Sequence, residues 1–168
     1  MKNLDFTTSF CVAVLIEYNQ KLSFTNDAGA EILLTKNITL DESQAYSAFL
    51  IDKSDKMDVL LIKDDFTTVS TEKAFIRFIN LSPDAPTLDL SLSNDVNLVS
   101  MLAYKSASEF QPIDPKTYSF TVSSNGILKA SLNDQVLTAG AYYTVFSKGL
   151  LDAGDGEHAF GLQLIAVQ

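Results

Sequence analysis

Short runs of β-branched and aromatic residues recur along the whole chain, and each is closed within a few residues by Asp, Asn, Ser or Gly. That rhythm leaves little room for anything but strands. The runs predict strands over residues 4–8, 10–16, 21–25, 31–34, 45–52 and 59–63. After a break they resume over 74–80, 87–92, 118–122, 127–132, 141–148 and 159–167. No long amphipathic helix competes with this pattern, and residues 99–108 are the one place where a short helical turn fits. Strands at such spacing point to an all-β protein built of antiparallel β-sandwiches. Turn chemistry supports the breaks. Asn26-Asp27-Ala28-Gly29 and Ser123-Ser124-Asn125-Gly126 both end in glycine, and Asn-Gly is a strong hairpin signal.

The runs repeat in order. Leu22-Ser23-Phe24-Thr25 returns as Tyr118-Ser119-Phe120-Thr121, 96 residues later. Ala45-Tyr46-Ser47-Ala48-Phe49 returns as Tyr142-Tyr143-Thr144-Val145-Phe146 at an offset of 97. Leu4-Asp5-Phe6 echoes Leu88-Asp89-Leu90. Three echoes in one order predict two copies of a module, over residues 1–70 and 71–168, joined by the polar stretch 66–73. The first copy has no counterpart of residues 75–86, so it is expected to lack its leading strand. The sheet edge left there should be paired by another part of the chain or by a second molecule, such as a homodimer partner.

At 168 residues the chain suits one large domain or two small ones. The net charge of −9 is spread evenly, with eleven acids and six bases in residues 1–70 and ten and six in the remainder. An acidic chain without basic patches argues against nucleic acid, which demands clustered Lys and Arg. Cys11 is the single cysteine, so no internal disulfide forms, and its apolar run reads as core. A lipoprotein signal would set the apolar segment before such a cysteine, whereas here it follows. No run approaches the roughly 18 apolar residues of a membrane span. The protein is therefore expected either to be cytosolic or to carry a targeting segment upstream.

Residues 75–89 read FIRFINLSPDAPTLD. Ile76 and Phe78 point to one side of a strand, and Phe75, Arg77 and Ile79 to the other, so both faces should be covered. Arg77, the single arginine, needs a partner there, with Asp84 and Asp89 in reach of the following loop. It either pins that loop or recognises a ligand. Leu81-Ser82-Pro83-Asp84-Ala85-Pro86 reads as a rigid turn at one end of the sandwich, where binding residues commonly gather.

Arg77-Phe78-Ile79-Asn80, Ser82-Pro83-Asp84-Ala85-Pro86 and Asp89, with Tyr118 and Tyr143-Thr144-Val145-Phe146, resemble the family of domain of unknown function 4397. The resemblance is strongest over residues 74–167, with a weaker trace over 4–65. It implies an immunoglobulin-like sandwich, extracytoplasmic and often anchored, lipoprotein-like, at the bacterial envelope. Family members often carry histidine where Asn80 stands, which argues against imidazole chemistry in this loop. The family offers no agreed activity or catalytic residues.

Catalytic constellations are missing from the sequence: His158 and Cys11 lie at opposite ends, and no nucleophile elbow or phosphate-binding glycine loop occurs. The expectation is a non-enzymatic module, with an enzyme using paired carboxylates as the weakest competitor. Asp152, Asp155 and Glu157 sit among glycines in a loop that either is simply solvated or offers oxygen ligands to calcium. Trp is absent, so a sugar platform would fall to Tyr18, Tyr104 or Tyr142 if exposed, while Tyr46, Tyr118 and Tyr143 read as core. The leading expectation is an envelope-associated sandwich protein that contacts protein or surface partners, with Arg77, Asn80, Asp84, Asp89 and Tyr104 as candidate binding residues. The alternative is a carbohydrate-binding module assisted by calcium.

Overall fold

A computed structural model describes residues 11–14, 20–25 and 31–167. The described residues form strands joined by turns, with no helix. Two compact units emerge, residues 1–65 and 66–168. No helix among the described residues is long and apolar enough to cross a membrane. The strand expected over residues 4–8 lies outside the described residues.

The first unit contains β1 (Cys11–Val14), β2 (Gln20–Thr25), β3 (Ile32–Ile38), β4 (Ala45–Ile51) and β5 (Asp58–Asp64). β2 and β3 form one antiparallel hairpin, while β1, β4 and β5 form a three-stranded sheet with β4 in the middle. Phe24, Ala48 and Val59 are buried together, with Leu22, Leu34, Leu50 and Leu61 packed around them. The expected edge is occupied: β1 runs antiparallel along β4, from Cys11 opposite Ala48 to Val14 opposite Ala45.

The second unit contains β6 (Ala74–Asn80), β7 (Thr87–Leu92), β8 (Asn97–Ala103), β9 (Gln111–Ile113), β10 (Thr117–Ser124), β11 (Ile127–Val136), β12 (Tyr142–Lys148) and β13 (Gly161–Ala166). They make two four-stranded sheets, β11-β10-β7-β8 and β13-β12-β6-β9. The core between them takes Ile76 and Phe78 from β6, Leu88 and Leu90 from β7, Phe120 and Val122 from β10, and Tyr143 and Val145 from β12. Most neighbours are antiparallel, but β6 and β12 are parallel, with Phe75 opposite Tyr142 and Asn80 opposite Ser147. Asn125 and Gly126 both adopt positive φ in the β10–β11 turn, as an Asn-Gly hairpin requires.

The short helical turn expected over 99–108 is instead β8 followed by irregular chain. Its apolar residues Leu98, Val99 and Leu102 all pack on the core, although their spacing is not that of a strand. A bulge reconciles the two. Leu88 faces Leu102 and Leu90 faces Val99, so two residues on β7 span three on β8. Met101, at φ 51°, is the displaced residue, and its N–H donates to Asp89 Oδ1 at 2.8 Å.

Residues 66–73 pack as part of the second unit. The Phe66 ring lies 4.8 Å from that of Tyr142, whose hydroxyl donates to the Thr68 carbonyl. Ser70 Oγ accepts the amides of Glu72 and Lys73 at 3.1 and 3.2 Å.

The two units share a local geometry. Tyr46 Oη accepts the Asp41 amide at 3.2 Å, and Tyr143 Oη accepts the Thr138 amide at 3.1 Å, each from five residues upstream. Leu40 and Leu137, and Phe49 and Phe146, are buried at the same offset. Left-handed backbone recurs there too: Ser43 (φ 58°) matches Gly140 (φ 80°), and Asp52 (φ 68°) matches Gly149 (φ 72°).

Candidate functional site

The signature lies where β6 leaves the sheet beside β12. Because the two strands are parallel, the segments beyond their ends also run side by side. Hydrogen bonds that use side chains from both segments continue the pairing. Leu81 N–H donates to Ser147 Oγ at 3.0 Å, and Ser82 Oγ donates to the Gly149 carbonyl at 2.6 Å. Asp84 accepts the amides of Leu151 and Asp152, one on each carboxylate oxygen, both at 2.9 Å. Proline at 83 and 86 fixes φ on either side of Asp84, and Ala85 N–H closes the turn on the Ser82 carbonyl at 3.1 Å.

Asn80 holds the centre of this clasp and is 0% exposed. Its amide nitrogen donates to the carbonyls of Ala85 and Leu102 at 2.9 and 3.1 Å. Its amide oxygen accepts Ser82 N–H at 3.2 Å and Ser147 Oγ–H at 3.1 Å. Two donors and two acceptor positions are all that a carboxamide has, so the side chain is saturated. The Asn80 backbone is bonded as well, its carbonyl accepting Lys105 N–H at 2.9 Å and its N–H donating to the Ser106 carbonyl at 3.1 Å.

The receiving side is shaped for close approach. A Cβ on Gly149 would stand 2.3 Å from the Ala159 carbonyl oxygen, so only glycine fits. Beyond it, Leu150 N–H donates to the His158 carbonyl and Phe160 N–H to the Leu150 carbonyl, at 2.9 and 2.8 Å. The base of the 149–160 loop is thereby closed, and Asp84 holds its first residues.

Arg77 departs from expectation. Asp84 and Asp89 both accept backbone amides, and the guanidinium instead donates from Nε to Thr144 Oγ1 at 2.9 Å while lying 4.5 Å from the Phe110 ring centroid. The reason is the pleat: Arg77 projects from the face of β6 opposite the core, beside Thr144 of the paired β12, whereas the loop leaves from the strand end. That face is buried too, with Arg77 2% exposed among Phe75, Ile79, Tyr142 and Phe146. Phe75 stacks on Tyr142 at 4.6 Å, and Phe110 meets the same ring edge-on at 4.9 Å. Tyr142 is thus 4% exposed and presents no sugar platform. Tyr46, Tyr118 and Tyr143 are buried. Tyr104 is half-buried beneath the Lys105 ammonium, 5.2 Å from its ring, and Tyr18 lies outside the described residues.

Asp152, Asp155 and Glu157 are exposed on the β12–β13 loop. Glu157 Oε2 accepts Gly154 N–H at 2.9 Å, closing a small turn of its own. Among the described residues, no three His, Cys, Asp or Glu side chains are placed to hold a metal ion together. The structure therefore unites Asn80 and Asp84 in one network and leaves Arg77, Asp89 and Tyr104 in separate surroundings. Ser82, which the sequence places in the rigid turn, joins this network, and Ser147 and Gly149, which the sequence does not single out, complete it. The Asn80-Leu81-Ser82 spacing signals a turn, but nothing local marks Ser147 as its partner.

The C-terminal domain of AlgF from P. aeruginosa is a solved structure similar to this chain, with a TM-score of 0.44 and 17% identity, covering 56% of this chain and 98% of that one. No protein of curated function matches. The family described as Domain of unknown function (DUF4397) matches residues 1–91, more than half of the chain. That match and the resemblance over 74–167 overlap across β6, the clasp loop and most of β7. The chain belongs to the DUF4397 family.

Proposed function

We propose that this protein is a non-enzymatic, extracytoplasmic module of the bacterial envelope, built of two immunoglobulin-like sandwiches in tandem, that makes protein–protein or surface contacts. The observation that carries this reading is the internal use of the signature. Asn80, Ser82 and Asp84 direct their hydrogen bonds to neighbouring backbone and to Ser147, and in doing so fix one end of the second unit. A family motif engaged in this way supports a rigid scaffold whose outer surface does the work. The tandem reading draws on the matching Tyr46 and Tyr143 bonds, since a tyrosine hydroxyl tied to backbone a few residues upstream is a recurrent device of immunoglobulin-like sandwiches.

The test is equilibrium binding of the labelled full chain to envelope fractions of its source bacterium, intact or protease-treated. Saturable binding lost on protease treatment is the expected result. Binding that survives protease and is competed by soluble glycans would transfer the protein to the carbohydrate-binding class. Absence of saturable binding to either fraction would overturn the reading.

A further inference from the structure

Strand register decides which side chains share the outer face of the sheet β11-β10-β7-β8. Phe120 and Val122 of β10 and Leu88 and Leu90 of β7 turn to the core. Thr121, Ser123, Asp89 and Ser91 therefore take the opposite face. One row across that face reads Leu128, Ser123, Asp89 and Met101. Leu128 stands opposite Ser123, Ser123 opposite Asp89, and Met101 N–H donates to Asp89 Oδ1 at 2.8 Å. The next row reads Ser131, Thr121, Ser91 and Asn97. Apolar side chains end the first row, with Leu128 61% and Met101 73% exposed.

Asp89 is the one charged residue in the two rows, in a chain whose net charge is −9. Copies of so acidic a chain repel one another, and a nearly neutral face is where they approach at least cost. The edges of this sheet are less suited to association, because β11 and β8 both carry register shifts against their neighbours and bulges discourage edge pairing.

The rows have a further property: each complements its own reverse. A twofold axis along the strands, between β10 and β7, sets β11 of one copy over β8 of the other. Leu128 then meets Met101, and the Ser123 hydroxyl meets the Asp89 carboxylate, each contact occurring twice. In the second row Thr121 meets Ser91 and Ser131 meets Asn97, all neutral hydrogen-bonding groups. Sheets stacked face to face keep their strands within about 30°, and the long Leu and Met side chains span the resulting offset at the rims.

We propose that the outer face of β11-β10-β7-β8 is an isologous contact surface for a second copy of this chain. A four-stranded face is about 19 Å wide and, over six residues, about 20 Å long, on the order of 400 Å² per copy. That is below the roughly 800 Å² per partner of stable complexes, so the contact is weak and reversible in solution. It gains strength where many copies are held on one surface. This inference rests on the interaction-module reading and names one partner for it.

Sedimentation equilibrium of the full chain should show a reversible monomer–dimer equilibrium. Leu128→Glu and Met101→Glu, both at exposed positions, should each weaken it about tenfold. Adding Leu128→Lys to Met101→Glu should restore it. Adding Val69→Lys instead, at an 82% exposed site outside this sheet, should not, although the net charge is the same. Positions 128 and 101 lie three strand spacings apart in one copy, about 14 Å, so their coupling arises only between copies. A chain that stays monomeric, or a dimer indifferent to the Glu variants, would overturn the proposal. So would a failure of Leu128→Lys to restore the dimer, or equal restoration by Val69→Lys. Envelope binding by the same preparations separates the two readings. If it persists in a chain that stays monomeric, only the dimer proposal falls; if the dimer forms and envelope binding is absent, only the envelope reading falls.

Discussion

Asn80 is the residue on which the clasp turns. Asn80→Ala would leave Ser82 N–H, Ser147 Oγ and two carbonyls without their partner in a site closed to water. Urea denaturation should show a loss of about 2–4 kcal/mol. Asn80→His keeps one donor and one acceptor when neutral and should fall between that variant and wild type. Two exposed carboxylates make a separate prediction. The Tyr46 hydroxyl and then Lys63 hold the Asp41 carboxyl below the ordinary aspartate range, and hydrogen bonding and charge from Lys73, 2.5 Å away, do the same for Asp114. A carboxyl depressed in the folded state stabilises it above its unfolded pKa, and that contribution is lost as pH falls through the folded value. Carbon-detected NMR titration should find both midpoints lower than in unfolded peptides, with their stabilisation intact at neutral pH and gone in strong acid. The sequence marked Asn80 and Asp84 as special but pointed to Arg77 for the wrong partner. Sequence order says which way a strand residue faces; it does not say which side chain a distant strand will set beside it.

Among elements, the left-handed residue after β4 and β12 is the most informative comparison. Gly149→Ala must move the Ala159 carbonyl and adopt positive φ, so a loss of about 3 kcal/mol or more is expected by thermal unfolding. Asp52→Gly relieves the same backbone conformation in the first unit and should stabilise it by about 0.5–1 kcal/mol. Most strands were legible, because alternation and turn residues are local signals. β6 and β7 have the bounds that the pattern of residues 74–80 and 87–92 predicts. β8 was hidden by its bulge, which gives Leu98, Val99 and Leu102 the spacing of a helical face. β9 is three residues long and contains Pro112, too little pattern to read. Both devices also blunt sheet edges, because a bulge breaks the row of edge donors and proline removes one.

At the scale of the whole chain, the described residues of the two units differ in what they enclose. Among them, the second unit has a core drawn from two four-stranded sheets, and the first a cluster around Phe24, Ala48 and Val59. Residues 66–168 expressed alone should unfold in one cooperative transition by calorimetry, whereas residues 1–65 alone should show a weak one or none. Loss of cooperativity in the larger piece would contradict the clasp as its organising feature. The echoes at offsets of 96 and 97 were visible in the sequence, but the matching left-handed turns were not, since Ser43 and Asp52 stand where the second unit has glycine. The parallel pairing of β6 with β12 has a temporal consequence. The strand made first in the second unit is completed by one made 67 residues later, so its ladder and clasp close a long loop. Contacts of that kind form late and slow the search for the native topology. A chain growing from its N-terminus must therefore hold the β12-facing edge of β6, from Phe75 to Asn80, in waiting until β12 emerges, and the clasp closes only then.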